Sequence, residues 1–170
     1  QNDLTILPAI ARSWEISSDV TEYTFHIRSN VKFHNNPCFK DTIGRFVTAN
    51  DVKFCFENLC SKSINNTQYD VTFKDRVEGA NEFFAESKSG KVRTFSGITI
   101  VDDSTLKIKL VQPDANFLNI LAMPGCFIYP KEAYFKYGED MNYNCVGTGP
   151  FFVESVSKGT AIVMKKNKDY

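Results

Sequence analysis

Alternating apolar and polar residues near the start of the chain predict a small antiparallel sheet. β-favouring runs at 14–16 and 23–27 flank the polar, turn-forming segment 17–19, so these residues are expected to form a hairpin. In the second run the apolar side chains share one face, at Tyr23, Phe25 and Ile27. The alternation resumes over 31–34, which predicts a third strand or an extension of the second.

The middle of the chain has the pattern of two amphipathic helices. Thr48 and Asp51 have the spacing of a capping box, so a helix is expected to begin there. It is expected to run to about Cys60, because apolar residues recur on one face: Val52, Cys55, Phe56 and Leu59. A second helix is predicted over 71–87 and is expected to end at Ser89 and Gly90. Its apolar stripe consists of Phe73, Val77, Ala80, Phe83 and Phe84.

The remainder of the chain is predicted to contain hairpins, short helices and loops. Four β-favouring runs are expected to form two hairpins, 98–101 with 106–110 and 151–153 with 161–164. One short helix is predicted to start at Pro113 and Asp114 and to end near 123–125, and another is predicted to open at Pro130. The segment 35–47 is expected to be a loop. Strands and helices do not alternate regularly, so the predicted fold class is α+β, with a mainly antiparallel small sheet and flanking helices.

The composition of the chain argues against certain partners and against a membrane-spanning helix. The 170 residues contain twenty basic and twenty acidic side chains, so we expect no nucleic-acid partner and no anionic membrane surface as a partner. No run of apolar residues is long enough for a membrane-spanning helix, and the first residues lack the pattern of a signal peptide. Since the chain also lacks an initiator Met, we interpret it as a piece of a longer protein.

Residues that could carry catalysis or hold a metal are few. His26 and His34 are the only histidines, no motif supplies them with partners, and both are expected to be surface or loop residues. The segment 147–149 is similar to a phosphate-binding loop, but Pro150 and a strand follow it instead of a Lys-Ser/Thr pair and a helix. We therefore predict no catalytic residue, no metal site and no cofactor.

Cysteine usage leaves one question open. The five cysteines are an odd number without CxxC spacing, which argues against a zinc site. Cys55 is expected in the core because it belongs to a helical apolar stripe. Cys38 and Cys145 lie in predicted loops and are candidates for a disulfide if the compartment is oxidising, although the sequence does not establish the pairing.

A series of short segments, taken in order, carries a family resemblance. The segments are 11–17, 23–28, 31–34, 48–54, 101–105, 112–113, 129–133, 137–138 and 146–151. Their order and spacing resemble the extracytoplasmic solute-binding proteins of bacterial ABC importers, of the oligopeptide- and dipeptide-binding type. The chain departs from the family pattern at 35–47, which is longer than usual and contains Cys38 in place of an Asp-Gly-Thr-Pro segment.

The resemblance implies a partial lobe of the two-lobed periplasmic-binding-protein fold. The chain, 1–170, would contain an inserted small domain over about 15–145 and a return to the main lobe over about 146–170, without the opposing lobe. Lobes of such proteins close on the ligand about a hinge, and the importer recognises the closed form. By position, the resemblance makes five residues candidates for ligand binding: Met123, Pro124, Gly125, Gly147 and Thr148.

The function that the resemblance implies is non-enzymatic. The protein is expected to capture small peptides or a similar solute outside the cytoplasmic membrane and to deliver them to ABC permease subunits. It is expected in the periplasm or at the cell surface, anchored as a lipoprotein through its N-terminus. Two alternatives stay open: a receptor domain that passes its state to a signalling partner, and binding of nickel chelates, haem or sugars.

Overall fold

The computed structural model describes residues 5–62, 66–87 and 95–170, and the chain divides into two compact units. The first, which we call the sheet unit, comprises Gln1–Arg28 and Thr48–Phe127. The second, the hairpin unit, comprises Ser29–Val47 and Ile128–Tyr170. The expected division at about 145 concerns a longer protein and stays a prediction.

A four-stranded antiparallel sheet forms the sheet unit. Its strands are β1 (Ala11–Ile16), β2 (Glu22–Ile27), β3 (Ile98–Asp102) and β4 (Thr105–Lys109), in the order β1-β2-β4-β3. The hairpins predicted for the first two and the last two strands are confirmed. In the central pair Tyr23 lies opposite Ile108 and Phe25 opposite Leu106, and all four side chains are buried. The alternating pattern therefore predicted the buried face of the sheet correctly.

Helix α1 (Ala49–Leu59) packs against β3 and begins at the predicted capping box. The backbone N–H of Thr48 donates to Asp51 Oδ2 at 2.9 Å, which satisfies a donor at the start of the helix. The predicted apolar face is buried: Val52, Cys55, Phe56 and Leu59. A helix of this length is stabilised mainly by that burial.

The single helix predicted over 71–87 is wrong. The structure has two short helices, α2 (Tyr69–Thr72) and α3 (Ala80–Glu86), joined by a turn. Two residues of the turn, Asp75 and Gly79, have φ of +59° and +74°, values that no α-helix accommodates. Asn81 stabilises the turn, because its side chain accepts from the Asp75 N–H and donates to the Asp75 carboxylate. The predicted helix end at Ser89 and Gly90 lies outside the described residues.

The short helix predicted to start at Pro113 and Asp114 is confirmed, but it is shorter than expected: α4 covers Phe117–Leu121, and a 3-10 helix follows at Pro124–Cys126. Several aromatic rings connect these elements in the core. Phe117 lies 5.3 Å from Tyr23 and 6.1 Å from Phe73, measured between ring centroids, and all three side chains are buried. Such contacts stabilise the core beyond the burial of apolar area alone.

The hairpin unit consists of loops, short helices and one antiparallel β-hairpin. It contains 3-10 helices at Lys40–Thr42 and Gly138–Asn142, helix α5 (Lys131–Tyr137), and the antiparallel pair β5 (Phe151–Ser157) and β6 (Ala161–Lys166). The predicted final hairpin and the helix after Pro130 are confirmed. Arg45 donates to both carboxylate oxygens of Glu132 at 2.8 Å, so the loop 35–47 is bound to α5 by a two-pronged ion pair.

The third strand predicted over 31–34 is wrong. Only an isolated bridge joins Lys32 to Phe46. The Phe33 N–H donates to Arg45 in the loop, and the next N–H, that of His34, donates to Gly147 far along the chain. Because these partners belong to a loop and a turn, the segment has no ladder to extend. Together, the elements of the two units give the predicted α+β class.

Candidate functional site

The Gly147–Gly149 turn, predicted to lie near the ligand, is held by His34. The His34 backbone N–H donates to the Gly147 carbonyl at 2.8 Å, and the ring Nε2 lies 2.8 Å from the Gly149 carbonyl. The Gly147 N–H in turn points at ring Nδ1, at 3.4 Å. One side chain and its own backbone thus contact both glycines of the turn.

The hydrogen bonds of His34 assign its tautomer. A carbonyl oxygen only accepts, so Nε2 must carry the hydrogen that bonds Gly149. The opposite nitrogen, Nδ1, then accepts from Gly147, which corresponds to a neutral ring. The side chain is buried, with 8% of the residue exposed, and its ring lies 6.0 Å from that of Phe152. The expectation that His34 is a surface or loop residue is confirmed by its loop position, although the side chain is buried.

Thr148, at the centre of the turn, has free polar groups. Within the described part of the chain, its N–H, carbonyl and hydroxyl have no hydrogen-bond partner, although the residue is half-buried. A side chain at Gly149 would meet no atom within 4 Å, and one at Gly147 would make only an ordinary contact with His34. The two glycines are therefore not required by packing, and their bare backbone leaves room for a ligand to approach Thr148.

A pocket of about 290 Å³ opens beside this turn in the hairpin unit. Its lining contains the rings of Phe33, His34 and Phe152 together with polar and charged residues. The polar and charged residues are Lys32, Asn35, Lys165, Lys166, Asn167, Lys168 and Asp169. Asn167 connects the pocket to the turn, because its backbone N–H donates to Pro150 at 2.7 Å and its side chain donates to Gly149 at 3.3 Å.

The other predicted segment, Met123 to Gly125, belongs to the sheet unit. Met123 precedes the 3-10 helix, and its carbonyl accepts from the Cys126 N–H at 2.9 Å. A Cβ at Gly125 would lie 2.6 Å from Oε1 and 3.0 Å from Cβ of Gln68, so a larger residue there requires the Gln68 side chain to shift. Pro124 is exposed. The binding role of the segment stays a prediction.

The five candidate residues fall in both units. Met123, Pro124 and Gly125 lie in the sheet unit, whereas Gly147 and Thr148 lie in the hairpin unit, where His34 and the pocket accompany them. Sequence reasoning missed His34. The sequence places His34 directly after the apolar Phe33. In an alternating pattern the residue that follows a buried one faces away from the core, so the pattern did not indicate a buried His34.

The cysteines of the sheet unit are buried thiols. Burial raises the pKa of the Cys126 thiol to about 12, and burial, with nearby Cys126 and Glu57, also raises the pKa of Cys60. Cys55 is buried as predicted. In the hairpin unit Cys38 is half-buried and Cys145 exposed, and none of the five cysteines forms a disulfide in the structure. The Cys38–Cys145 pairing stays a prediction.

Metal-ligand clusters and membrane-spanning helices are both absent from the described residues. No group of three or more His, Cys, Asp or Glu side chains among them is arranged to hold a metal ion. No helix within 5–62, 66–87 and 95–170 is both long and apolar enough to cross a membrane.

Comparison with known proteins identifies the family. Residues 5–170 match the model of the bacterial extracellular solute-binding proteins, family 5 Middle. The chain belongs to this family. The resemblance found in the sequence is confirmed, and family 5 members are solute-binding proteins rather than enzymes.

Relatives of this family 5 chain are named for binding peptides. Di/tripeptide-binding protein 1 of Pseudomonas aeruginosa is 36% identical over 170 residues, which are 97% of this chain and 30% of that protein. The dipeptide-binding protein of Escherichia coli is 36% identical over 170 residues, again 97% of this chain and 30% of that protein. The chain thus spans about 30% of the length of these relatives.

A solved structure confirms the partial-lobe fold. The periplasmic oligopeptide-binding protein of an ABC transporter from Borrelia burgdorferi superposes with a TM-score of 0.81 at 28% identity. The match covers 95% of this chain and 30% of that one. The family 5 chain is therefore an α+β portion of a periplasmic-binding-protein fold.

Proposed function

We propose that this chain is part of the solute-binding component of an ABC importer that captures small peptides and delivers them to permease subunits. The observation that carries the proposal is the match of 5–170 to family 5, together with two relatives named for dipeptides and tripeptides. Since the chain spans about 30% of those relatives, the opposing lobe would come from the rest of a longer protein. Closure of the two lobes on the peptide would produce the form that the permease recognises.

The turn around Thr148 supports a backbone-directed mode of binding. A peptide backbone offers one donor and one acceptor per residue, and Thr148 offers free groups of both kinds within the described structure. The adjacent Gly147 and Gly149 have no side chains to block the approach, and His34 is hydrogen-bonded to the turn. Recognition through backbone groups, directly or through water, tolerates different peptide side chains. Met123, Pro124 and Gly125 of the sheet unit are proposed as ligand-binding residues in their own right, because of their position in the family pattern.

Native mass spectrometry of the full-length protein, purified without denaturation, tests the proposal. Masses of short peptides released on unfolding, absent from a denatured and refolded control, are the expected result. A single non-peptide mass, such as a nickel chelate, haem or sugar, would overturn the peptide assignment and leave solute binding. Release of nothing, with no heat of peptide binding in calorimetry, would overturn both and favour a receptor for a signalling partner.

The proposed place of action is outside the cytoplasmic membrane, in the periplasm or at the cell surface. The family consists of extracellular solute-binding proteins, which supports this location. Anchoring as a lipoprotein belongs to the same proposal. Cell fractionation of the full-length protein, with and without mutation of its lipid-accepting residue, would test the anchor by release of the mutant into the soluble fraction.

A further inference from the structure

Two buried cysteines of the sheet unit lie at the ends of neighbouring helices. Cys60 is the residue directly after α1, and Cys126 is the last residue of the 3-10 helix Pro124–Cys126. Cα atoms of α1 approach within 8 Å of Cα atoms of that 3-10 helix. Cys60 is fully buried and Cys126 is 5% exposed, so both side chains lie inside the core of the sheet unit.

The segment that leads into α2 contacts the chain neighbours of both cysteines. The Asn66 side chain donates to the two carbonyls that flank Cys60, at 2.7 and 2.8 Å. Two residues later, Gln68 packs against Gly125, where a Cβ would lie 3.0 Å from the Gln68 Cβ. Gly125 directly precedes Cys126. One short segment therefore lies beside both cysteines, which places them in the same part of the core.

The electrostatics of the two thiols agree with this placement. Burial raises the pKa of the Cys60 thiol, and the nearby Cys126 and Glu57 raise it further. Burial alone raises the pKa of Cys126 to about 12. Thiols that catalyse disulfide exchange have lowered pKa values instead. The pair thus has the character of a structural site, and its burial would protect a bond between the two sulfurs from reducing agents.

Cys55, the third buried cysteine of this unit, is placed differently. It lies five positions before Cys60, and side chains five positions apart on an α-helix project from different sides. Its side chain belongs to the apolar face of α1 that packs into the core. Cys60 and Cys126 are therefore the two cysteines of the sheet unit that are placed to pair.

We propose that Cys60 and Cys126 form a structural disulfide outside the cytoplasmic membrane, in a compartment where disulfides persist. The oxidant is itself a disulfide, of a small thiol compound or of an oxidoreductase. Before the core closes, one cysteine thiolate attacks a sulfur of the oxidant and displaces the other, and the second cysteine thiolate then resolves the mixed disulfide. The two cysteines lose two protons and two electrons, and the oxidant becomes two thiols.

The bond would hold the segment Met123–Gly125, which is proposed for ligand binding, against the end of α1. It would also close a long loop of the chain, and such a cross-link stabilises a fold by restricting the unfolded state. Reduction returns both residues to the thiols of the structure, so any effect of the Cys126 thiol on stability is confined to the reduced form. The compartment rests on the proposed place of action, whereas the pairing does not.

Peptide mapping of the full-length protein tests the pairing. Protein isolated from cells is denatured with N-ethylmaleimide, which blocks free thiols, and is digested without a reductant. Trypsin and a glutamate-specific protease are used together, because cleavage after Glu57 separates Cys55 from Cys60. The expected product is a pair of peptides joined through Cys60 and Cys126, with the maleimide on Cys55.

Reduced protein that is refolded with oxidised glutathione separates the pairing from its compartment. The same joined peptides in the refolded sample but not in the cellular one would support the pairing and overturn the location outside the cytoplasmic membrane. Maleimide on both Cys60 and Cys126 in both samples, or a bond between Cys126 and Cys55, would overturn the pairing. No ligand is used, so a failure of peptide binding leaves this inference untouched.

Urea unfolding with and without a reductant measures what the bond contributes. Reduction should lower the urea midpoint of the wild type, because the loop is released in the unfolded chain. The decrease should be smaller in Cys60→Ala and in Cys126→Ala. Cys55→Ala is the matched control, since it removes a buried thiol of the same helix and should keep the full decrease. An equal decrease in all four proteins would overturn the inference.

Discussion

His34 and Gly149 are joined by a hydrogen bond of 2.8 Å although 115 positions separate them in the chain. The bond connects the loop after Phe33 to the turn that precedes β5, and a second contact from Gly147 to the same ring fixes the ring's orientation. A turn proposed for ligand binding is thus held in place by hydrogen bonds to a residue far from it in sequence.

Replacing His34 should destabilise the chain in a graded way. His34→Ala removes two side-chain hydrogen bonds and a buried ring, and we expect a loss of about 2–3 kcal/mol in the free energy of unfolding. His34→Gln should lose about 1 kcal/mol, since its amide N–H can still donate to Gly149. Urea unfolding followed by circular dichroism measures both values.

His26→Ala is the control for these two variants. His26 is only half-buried, and its ring contacts the exposed carboxylate of Glu15 at 3.2 Å. Removing the His26 side chain should therefore lower the free energy of unfolding by less than about 1 kcal/mol. Equal destabilisation by His26→Ala and His34→Ala would contradict the role given to His34.

Local patterns predicted most of the fold, and the failures share one physical cause. Hairpins and α1 depend on neighbouring residues, as in the Thr48–Asp51 capping box, so the sequence alone indicates them. The break between α2 and α3 depends on a hydrogen bond from the Asn81 side chain to Asp75, which the spacing of apolar residues does not indicate. The role of His34 depends on a partner 115 positions away, which no periodicity reveals.

Gly79 should tolerate substitution less than another glycine of similar backbone conformation. Its φ is +74°, and a Cβ there would lie 2.3 Å from the Ser96 hydroxyl oxygen. Gly159 has φ of +71° but no atom within 4 Å of the same position. Both alanine variants incur a strain of about 1 kcal/mol from the left-handed backbone conformation. Any additional loss of unfolding free energy in Gly79→Ala therefore measures the clash with Ser96. Thermal unfolding of the pair measures it, and identical melting temperatures would show that Ser96 moves aside without cost.

Stability should fall in alkaline solution because of Cys126. Burial raises the pKa of this thiol from 9.0 to about 12, so above pH 9 the folded chain retains a proton that the unfolded chain has lost. Unfolding is then favoured increasingly as pH rises from 9 to about 12. Urea unfolding at pH 8 and pH 10 should show a smaller pH-dependent loss for Cys126→Ala than for the wild type. Cys145→Ala, which changes an exposed thiol, should behave as the wild type does. A loss that is the same in all three proteins would assign the alkaline effect to other groups.

The 170 residues alone should fold but bind peptide weakly. The sheet unit has its own aromatic core around Tyr23, Phe73 and Phe117, which is enough buried area to expect cooperative unfolding. Ligand contacts in a two-lobed protein form from both sides, so a chain that spans about 30% of its relatives should retain only part of the binding free energy. Calorimetry with Ala-Ala on the chain and on the full-length protein compares the two directly. Micromolar binding by the chain alone would mean that the hairpin unit or the sheet unit already contains a complete site, and closure of two lobes would then not be needed to hold the peptide.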